Sequence, residues 1–185
     1  MTAGSADLAK LVEGLLVDVE RSGRKRLAGP AEAAAMETLA AIAPSRPVRS
    51  LREATRGELL REGRTCYDHL AGRLGVELTS ALERRGFLRR LDRAYRLTPS
   101  GRRTLEELGV DVARARARRR EFAFACLDWS ERRPHLAGAL GAALAERLFA
   151  LGWVERVGPG RAAALTEAGR NGLESGLGVA VATVV

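Results

Sequence analysis

Aromatic residues make up only 4% of this 185-residue chain, and it has two cysteines and two histidines. Two cysteines, Cys66 and Cys126, cannot build the disulfide framework of a small secreted domain. No stretch approaches the roughly 20 apolar residues of a membrane span. Residues 1–16 have no basic segment followed by an apolar core, so no secretory signal is expected. The expectation is a cytoplasmic protein with no membrane partner. Phosphate-cradling Gly loops, HExxH and paired CxxC are also missing. Cys66 and His69 have the chemistry of a nucleophile and a base, but no third residue is spaced to orient them. The chain reads as a non-enzyme.

What is present is arginine. The formal charge is +8, and the basic residues are nearly all Arg. A polyanionic partner fits that balance, nucleic acid first. A solvated surface shaped by Arg-rich coding bias fits it too, since charge alone does not specify function. Leu and Ala outnumber Val and Ile, which favours helix, and the length allows one or two domains with real cores.

The chain repeats itself. His69-Leu70-Ala71-Gly72-Arg73-Leu74-Gly75 returns as His135-Leu136-Ala137-Gly138-Ala139-Leu140-Gly141. The same offset carries through Leu78/Leu144, Leu82/Leu148, Gly86/Gly152, Phe87/Trp153 and Leu88/Val154. Two extra residues then enter the second copy, after which Leu97-Thr98-Pro99-Ser100-Gly101-Arg102 matches Leu165-Thr166-Glu167-Ala168-Gly169-Arg170. Two copies are too few for a solenoid, so two related modules are expected. In each, an apolar helix ends near Gly86 or Gly152, and a short β-hairpin ends in Leu-Thr. Thr98 or Thr166 then caps the next helix, with Pro99 suited to the first helical position. Helix, two-stranded wing, helix is a winged-helix plan, so the fold class expected is mainly α, with internally repeated winged-helix-like modules.

Read in order, residues 7–14 look like the end of a helix, 15–20 a strand, Arg21-Ser22-Gly23 a turn, and 31–43 an Ala-rich helix whose stripe of Met36, Leu39 and Ile42 needs a partner to pack on. Pro44 and Pro47 mark a linker. Ser50-Leu51-Arg52-Glu53 is a capping-box pattern that predicts a long helix to about Ala71, with Leu59, Gly63, Cys66, Leu70 and Leu74 on one face. A further helix is expected over 111–128. The resulting division is 1–45, 50–110, 111–176 and an apolar tail, 177–185.

The segments Asp7–Leu16, Val19–Arg26 and Ala28–Glu32 resemble the ArsR-type (arsenic-repressor-like) family of bacterial winged-helix transcriptional regulators. The blocks Arg64–Gly72 and Ala125–Gly138 resemble the long C-terminal extension of one subgroup. The likeness covers nearly the whole chain. It implies that 1–45 is a partial winged helix: the end of a recognition helix, a wing and a dimer-forming helix. Because Met1 sits almost at that recognition helix, it also implies an N-terminally truncated regulator. The implied partners are double-stranded DNA and a second copy in a homodimer. The implied DNA contacts are Lys10, Arg21, Arg24, Lys25 and Arg26, since cations at a hairpin tip meet phosphates; a soluble turn is the competing reading, and the charges of Arg89, Arg90 and Arg93 on the second wing make them a lesser candidate of the same kind. A fragment that has lost its reading head, and serves only in dimerisation or sensing, is the alternative. The two extension modules are too short between Gly75 and Gly86, and between Gly141 and Gly152, for a turn plus a full recognition helix. They read as degenerate modules serving as scaffold, dimer surface or sensor.

No cofactor is evident, but ArsR-type proteins often sense metals through Cys and His, so a metal-ion effector is a candidate. Cys66 and His69, at i and i+3 of the expected helix, are neighbours able to share an ion. One helix offers two ligands where a structural site needs four, so a second module or chain would have to complete it. Both cysteines lie on apolar stripes, where a buried core thiol is the competing reading. Asp68 with Arg64, and Asp128 with Arg132, would be ordinary helical pairs.

Overall fold

A computed structural model describes residues 17–19, 25–27, 35, 39, 50–158 and 160–178. Strands β1 (Val17–Val19) and β2 (Lys25–Leu27) form an antiparallel hairpin in which Val19 faces Lys25 and Asp18 faces Arg26. Ala35 and Leu39 are helical and exposed. The remaining residues expected in that helix, and those of the tail after Gly178, lie outside the described residues.

From Leu51 onward the order is helix α1 (Leu51–Glu62), strands β3 (Arg64–Cys66) and β4 (His69–Ala71), helix α2 (Gly72–Arg84), strands β5 (Leu88–Leu91) and β6 (Ala94–Leu97), and helix α3 (Pro99–Glu107). A short helix α4 (Val112–Ala117) connects to strands β7 (Phe124–Leu127) and β8 (Pro134–Ala137), helix α5 (Gly138–Ala150), strands β9 (Val154–Arg156) and β10 (Ala163–Leu165), and helix α6 (Glu167–Leu177). Each half is therefore hairpin, helix, hairpin, helix.

The mainly α expectation is overturned. The described residues carry ten strands in four antiparallel sheets beside the helices, a mixed α and β fold. The winged-helix plan falls with it, because every half has an extra hairpin ahead of its central helix. The helix expected to reach Ala71 stops at Glu62, and the one expected over 111–128 stops at Ala117. The reason is long-range pairing that no local periodicity reports. Thr65 N donates to Arg161 O at 2.8 Å and Ala163 N to Gly63 O at 2.9 Å. In the other half Ala125 N donates to Arg93 O at 2.7 Å and Tyr95 N to Ala123 O at 3.0 Å. These are the same bonds, made by equivalent residues. The halves exchange hairpins: β5–β6 joins β7–β8 in one four-stranded sheet, while β3 meets β10 through the Arg64–Ala162 bridge.

Gly72 and Gly138 make the strand-to-helix corners. Both have positive φ, +74° and +85°. A Cβ on Gly72 would stand 2.7 Å from Arg61 O, and one on Gly138 2.8 Å from Glu121 O. Only glycine has the conformation and the missing atom that let the chain fold back so tightly. The helices then bury equivalent leucines in one shared core: Leu74, Leu78 and Leu82 from α2, and Leu140, Leu144 and Leu148 from α5. Each contributes on the order of 1.5–3 kcal/mol of apolar transfer. Thr98 Oγ1 accepts from Gly101 N at 3.1 Å and Thr166 Oγ1 from Gly169 N at 3.0 Å, so both caps stand where the sequence places them.

Candidate metal centre

The exchange of hairpins sets the two halves face to face around four side chains. In the first half Cys66 pairs with His69 across the β3–β4 hairpin; in the second, Cys126 pairs with His135 across β7–β8. Residues directly opposite in an antiparallel pair point to the same face, so each hairpin presents one sulfur and one imidazole together. The central helices pass close behind. Gly75 of α2 lies against Leu70 O and His135, and Gly141 of α5 against Leu136 O and His69. A Cβ at either glycine would run into the strand before its own helix, against Leu70 O at Gly75 and 2.5 Å from Leu136 O at Gly141.

The four side chains are buried, at 1% and 2% exposure for Cys66 and Cys126 and 0% for both histidines. Their ligand-capable atoms all lie within 4.8 Å of one another. His69 Nε2 and His135 Nε2 are 3.2 Å apart, with ring centroids 5.1 Å apart and a 30° tilt. The other nitrogen of each ring faces a carboxylate. His69 Nδ1 is 3.4 Å from Asp68 Oδ1, and His135 Nδ1 is 3.5 Å from Asp128 Oδ2.

Those carboxylates are held crosswise. Asp68 receives Arg120 Nη1 at 2.6 Å, and the same guanidinium donates to Gly138 O at 2.6 Å. Asp128 receives Arg64 Nη2 at 3.0 Å and Gly72 N at 2.6 Å. The helical pairs expected from spacing, Asp68 with Arg64 and Asp128 with Arg132, are not the pairs formed, because neither segment is helical. Each aspartate instead reaches an arginine of the other half.

Burial works to raise both aspartates. For Asp68 the hydrogen bonds with His69 and Arg120 outweigh it, and for Asp128 the charge of Arg64 and the Ser130 hydroxyl do, so both pKa values end below the ordinary range. Burial lowers His135, and the neighbouring His69 lowers it further. His69 is also pushed down by burial, yet its hydrogen bonds to Asp68 and Cys66 carry it above its usual value. The Cys66 thiol is raised by the adjacent Cys126 and by burial. Asp68 and Asp128 therefore stay ionised, and His135 stays neutral, with an imidazole lone pair to offer at the centre.

Of the residues singled out from sequence, Cys66 and His69 lie side by side, on a hairpin and not on a helix. Sequence reasoning missed Cys126 and His135 as their partners. The repeat does align His135 with His69. Cys126 escapes because the second hairpin carries six additional residues, which break the cysteine's offset from Cys66. Lys25 and Arg26 lie on β2, while Lys10, Arg21 and Arg24 fall outside the described residues. Arg89, Arg90 and Arg93 are exposed on and beside β5.

No family model matches the chain, and no solved structure matches it. A Bacillus subtilis (strain 168) protein named "Uncharacterized HTH-type transcriptional regulator YdfF" is 41% identical over 180 residues, which is 96% of this chain and 80% of that protein.

Proposed function

The chain belongs to the family of that HTH-type transcriptional regulator, and on this premise we propose that it is a DNA-binding transcriptional regulator of the ArsR type, acting in the cytoplasm as a homodimer on double-stranded DNA. The identity across nearly the whole chain is the observation that carries the reading. The +8 charge supports it, and so does the β1–β2 hairpin, whose second strand is Lys25-Arg26-Leu27. Residues 1–45 supply DNA contact and pairing: Lys10, Arg21, Arg24, Lys25 and Arg26 meet the phosphates, and the helix around Ala35 and Leu39 joins the subunits. Residues 50–110 and 111–176 form the two halves of a regulatory extension. An effector, a metal ion or a small molecule, shifts the dimer between binding-competent and incompetent arrangements by favouring one of them.

Binding of the full chain to labelled genomic fragments, including DNA beside its own gene, tests this across a salt series. The expected result is fragment-selective binding that weakens steeply with salt, and a salt slope reduced by about 2–3 when Arg24, Lys25 and Arg26 are replaced together by Ala. Weak binding, equal for all fragments, would overturn the reading and leave a module that senses or dimerises without reading DNA.

A further inference from the structure

We propose that Cys66, His69, Cys126 and His135 hold one ion of the Zn2+ class in a closed, tetrahedral site that fastens the two halves of the extension to each other. The inference is independent of the DNA-binding reading. Two thiolates and two imidazoles are a ligand set for structural zinc. The spacing agrees: a tetrahedron with Zn–N bonds of about 2.0 Å has an N···N edge of about 3.3 Å, and the two Nε2 atoms are 3.2 Å apart.

The surroundings point the same way. A metal-bound imidazole characteristically turns its other nitrogen to a carboxylate, which fixes the tautomer. His69 Nδ1 does so toward Asp68, and His135 Nδ1, without a hydrogen bond of its own, lies 3.5 Å from Asp128 Oδ2. With hydrogens on both Nδ1 atoms, the two Nε2 lone pairs point at one another, an arrangement that is repulsive by itself and favourable when both aim at a cation. A proton shared between the rings also fits 3.2 Å, but it gives the two adjoining thiols no part. Charge closes as well. Two thiolates neutralise a divalent ion, and Asp68 and Asp128 are matched by Arg120 and Arg64, so the filled site carries no net charge into the interior.

Neither half is complete without the other, since each hairpin offers one sulfur and one nitrogen. The ion is therefore a cross-link. Four buried protein ligands make a closed site rather than a catalytic one. Sulfur and imidazole select Zn2+, Co2+ or Cd2+ over Mg2+, Ca2+ and Mn2+.

The full chain, purified under reducing conditions, should carry one Zn2+ per chain by native mass spectrometry, and should retain it through dialysis. Loaded with Co2+ alone, it should show thiolate-to-metal charge transfer and the intense visible bands of a four-coordinate ion. Asp68→Asn should weaken Zn2+ affinity by about 10- to 100-fold, and Cys126→Ser or His135→Gln by more. Should those variants fail to fold, the Co2+ spectrum of the unaltered chain decides. A six-coordinate or thiolate-free spectrum, a chain that takes up no Zn2+ when reduced, or Zn2+ affinity unmoved in folded Cys126→Ser would overturn the proposal. So would a Cys66–Cys126 disulfide that persists in reductant.

Discussion

The two hairpins that meet at the centre present the same pair of side chains on different supports. In the first, Tyr67 and Asp68 alone join Cys66 to His69, with Tyr67 at φ 59°. In the second, Cys126 and His135 are joined by a loop whose Asp128 side chain folds inward. Asp128 Oδ1 accepts from Ser130 N at 2.9 Å, Ser130 Oγ at 2.7 Å and Glu131 N at 3.1 Å, while Oδ2 receives Arg64. Both members of the Asp128–Arg64 pair have fully buried side chains, whereas Asp68 and Arg120 keep 30% and 21% of theirs exposed. A repeated fold thus conserves the geometry at its dyad and lets the periphery diverge. The extra loop braces the opposite half's strand through Arg64, which also donates to Leu60 O and stacks over Trp129.

The broadest way to break the symmetry is to remove the ion that the four central residues share. Chelation under reducing conditions should lower the midpoint of thermal unfolding by about 10 °C, the size expected when a tightly bound ligand of the native state is lost. Calorimetry with and without added Zn2+ checks this.

Next comes the contrast between the two aspartates. Asp128→Asn leaves Arg64 as a buried charge without its counterion and should cost about 3–5 kcal/mol. In the metal-free chain Asp68→Asn breaks a pair that keeps partial contact with water and should cost about 1 kcal/mol or less. Urea denaturation of both variants side by side sharpens the comparison, and equal costs would contradict it. Between these values lies Thr79, which has no counterpart in the second half, where Ala145 occupies the equivalent place. Its hydroxyl donates to Gly75 O at 2.8 Å and accepts from Leu136 N at 2.8 Å. Thr79→Val would strand that buried amide and should cost about 1–3 kcal/mol in the same denaturation assay.

Acid gives the smallest and most gradual effect. The folded pKa values of Asp68 and Asp128 are depressed. Their contribution is therefore complete above the unfolded value of about 3.9 and is lost as pH falls through the folded values. The share of the metal-free chain's unfolding free energy that these two carboxylates carry should hold steady down to about pH 4–5 and decline below it, while the lowered pKa of His135 adds a separate loss that begins below about pH 6.5. Asp128→Asn should flatten that decline more than Asp68→Asn does.

Much of this was legible in the residues. The repeat, the hairpins after Gly86 and Gly152, and the threonine caps each rest on local chemistry, and each appears in place. The first hairpin of each half was not legible, because Cys66-Tyr67-Asp68-His69 satisfies two geometries at once. On a helix its ends are i, i+3 neighbours; around a two-residue turn they are opposite partners. What decides is Arg161, which lies far along the chain and pairs with Thr65. The same blindness hid half of the centre. Cys66 and His69 announce themselves by closeness in sequence, while Cys126 and His135 become neighbours only after the second loop has folded around Asp128.

The central claim is that the two halves meet at one Cys2His2 ion. X-ray absorption at the zinc edge of the fully loaded chain tests it most directly. Two sulfurs at about 2.3 Å and two nitrogens at about 2.0 Å are the predicted result, and a shell of oxygen and nitrogen without sulfur would contradict it.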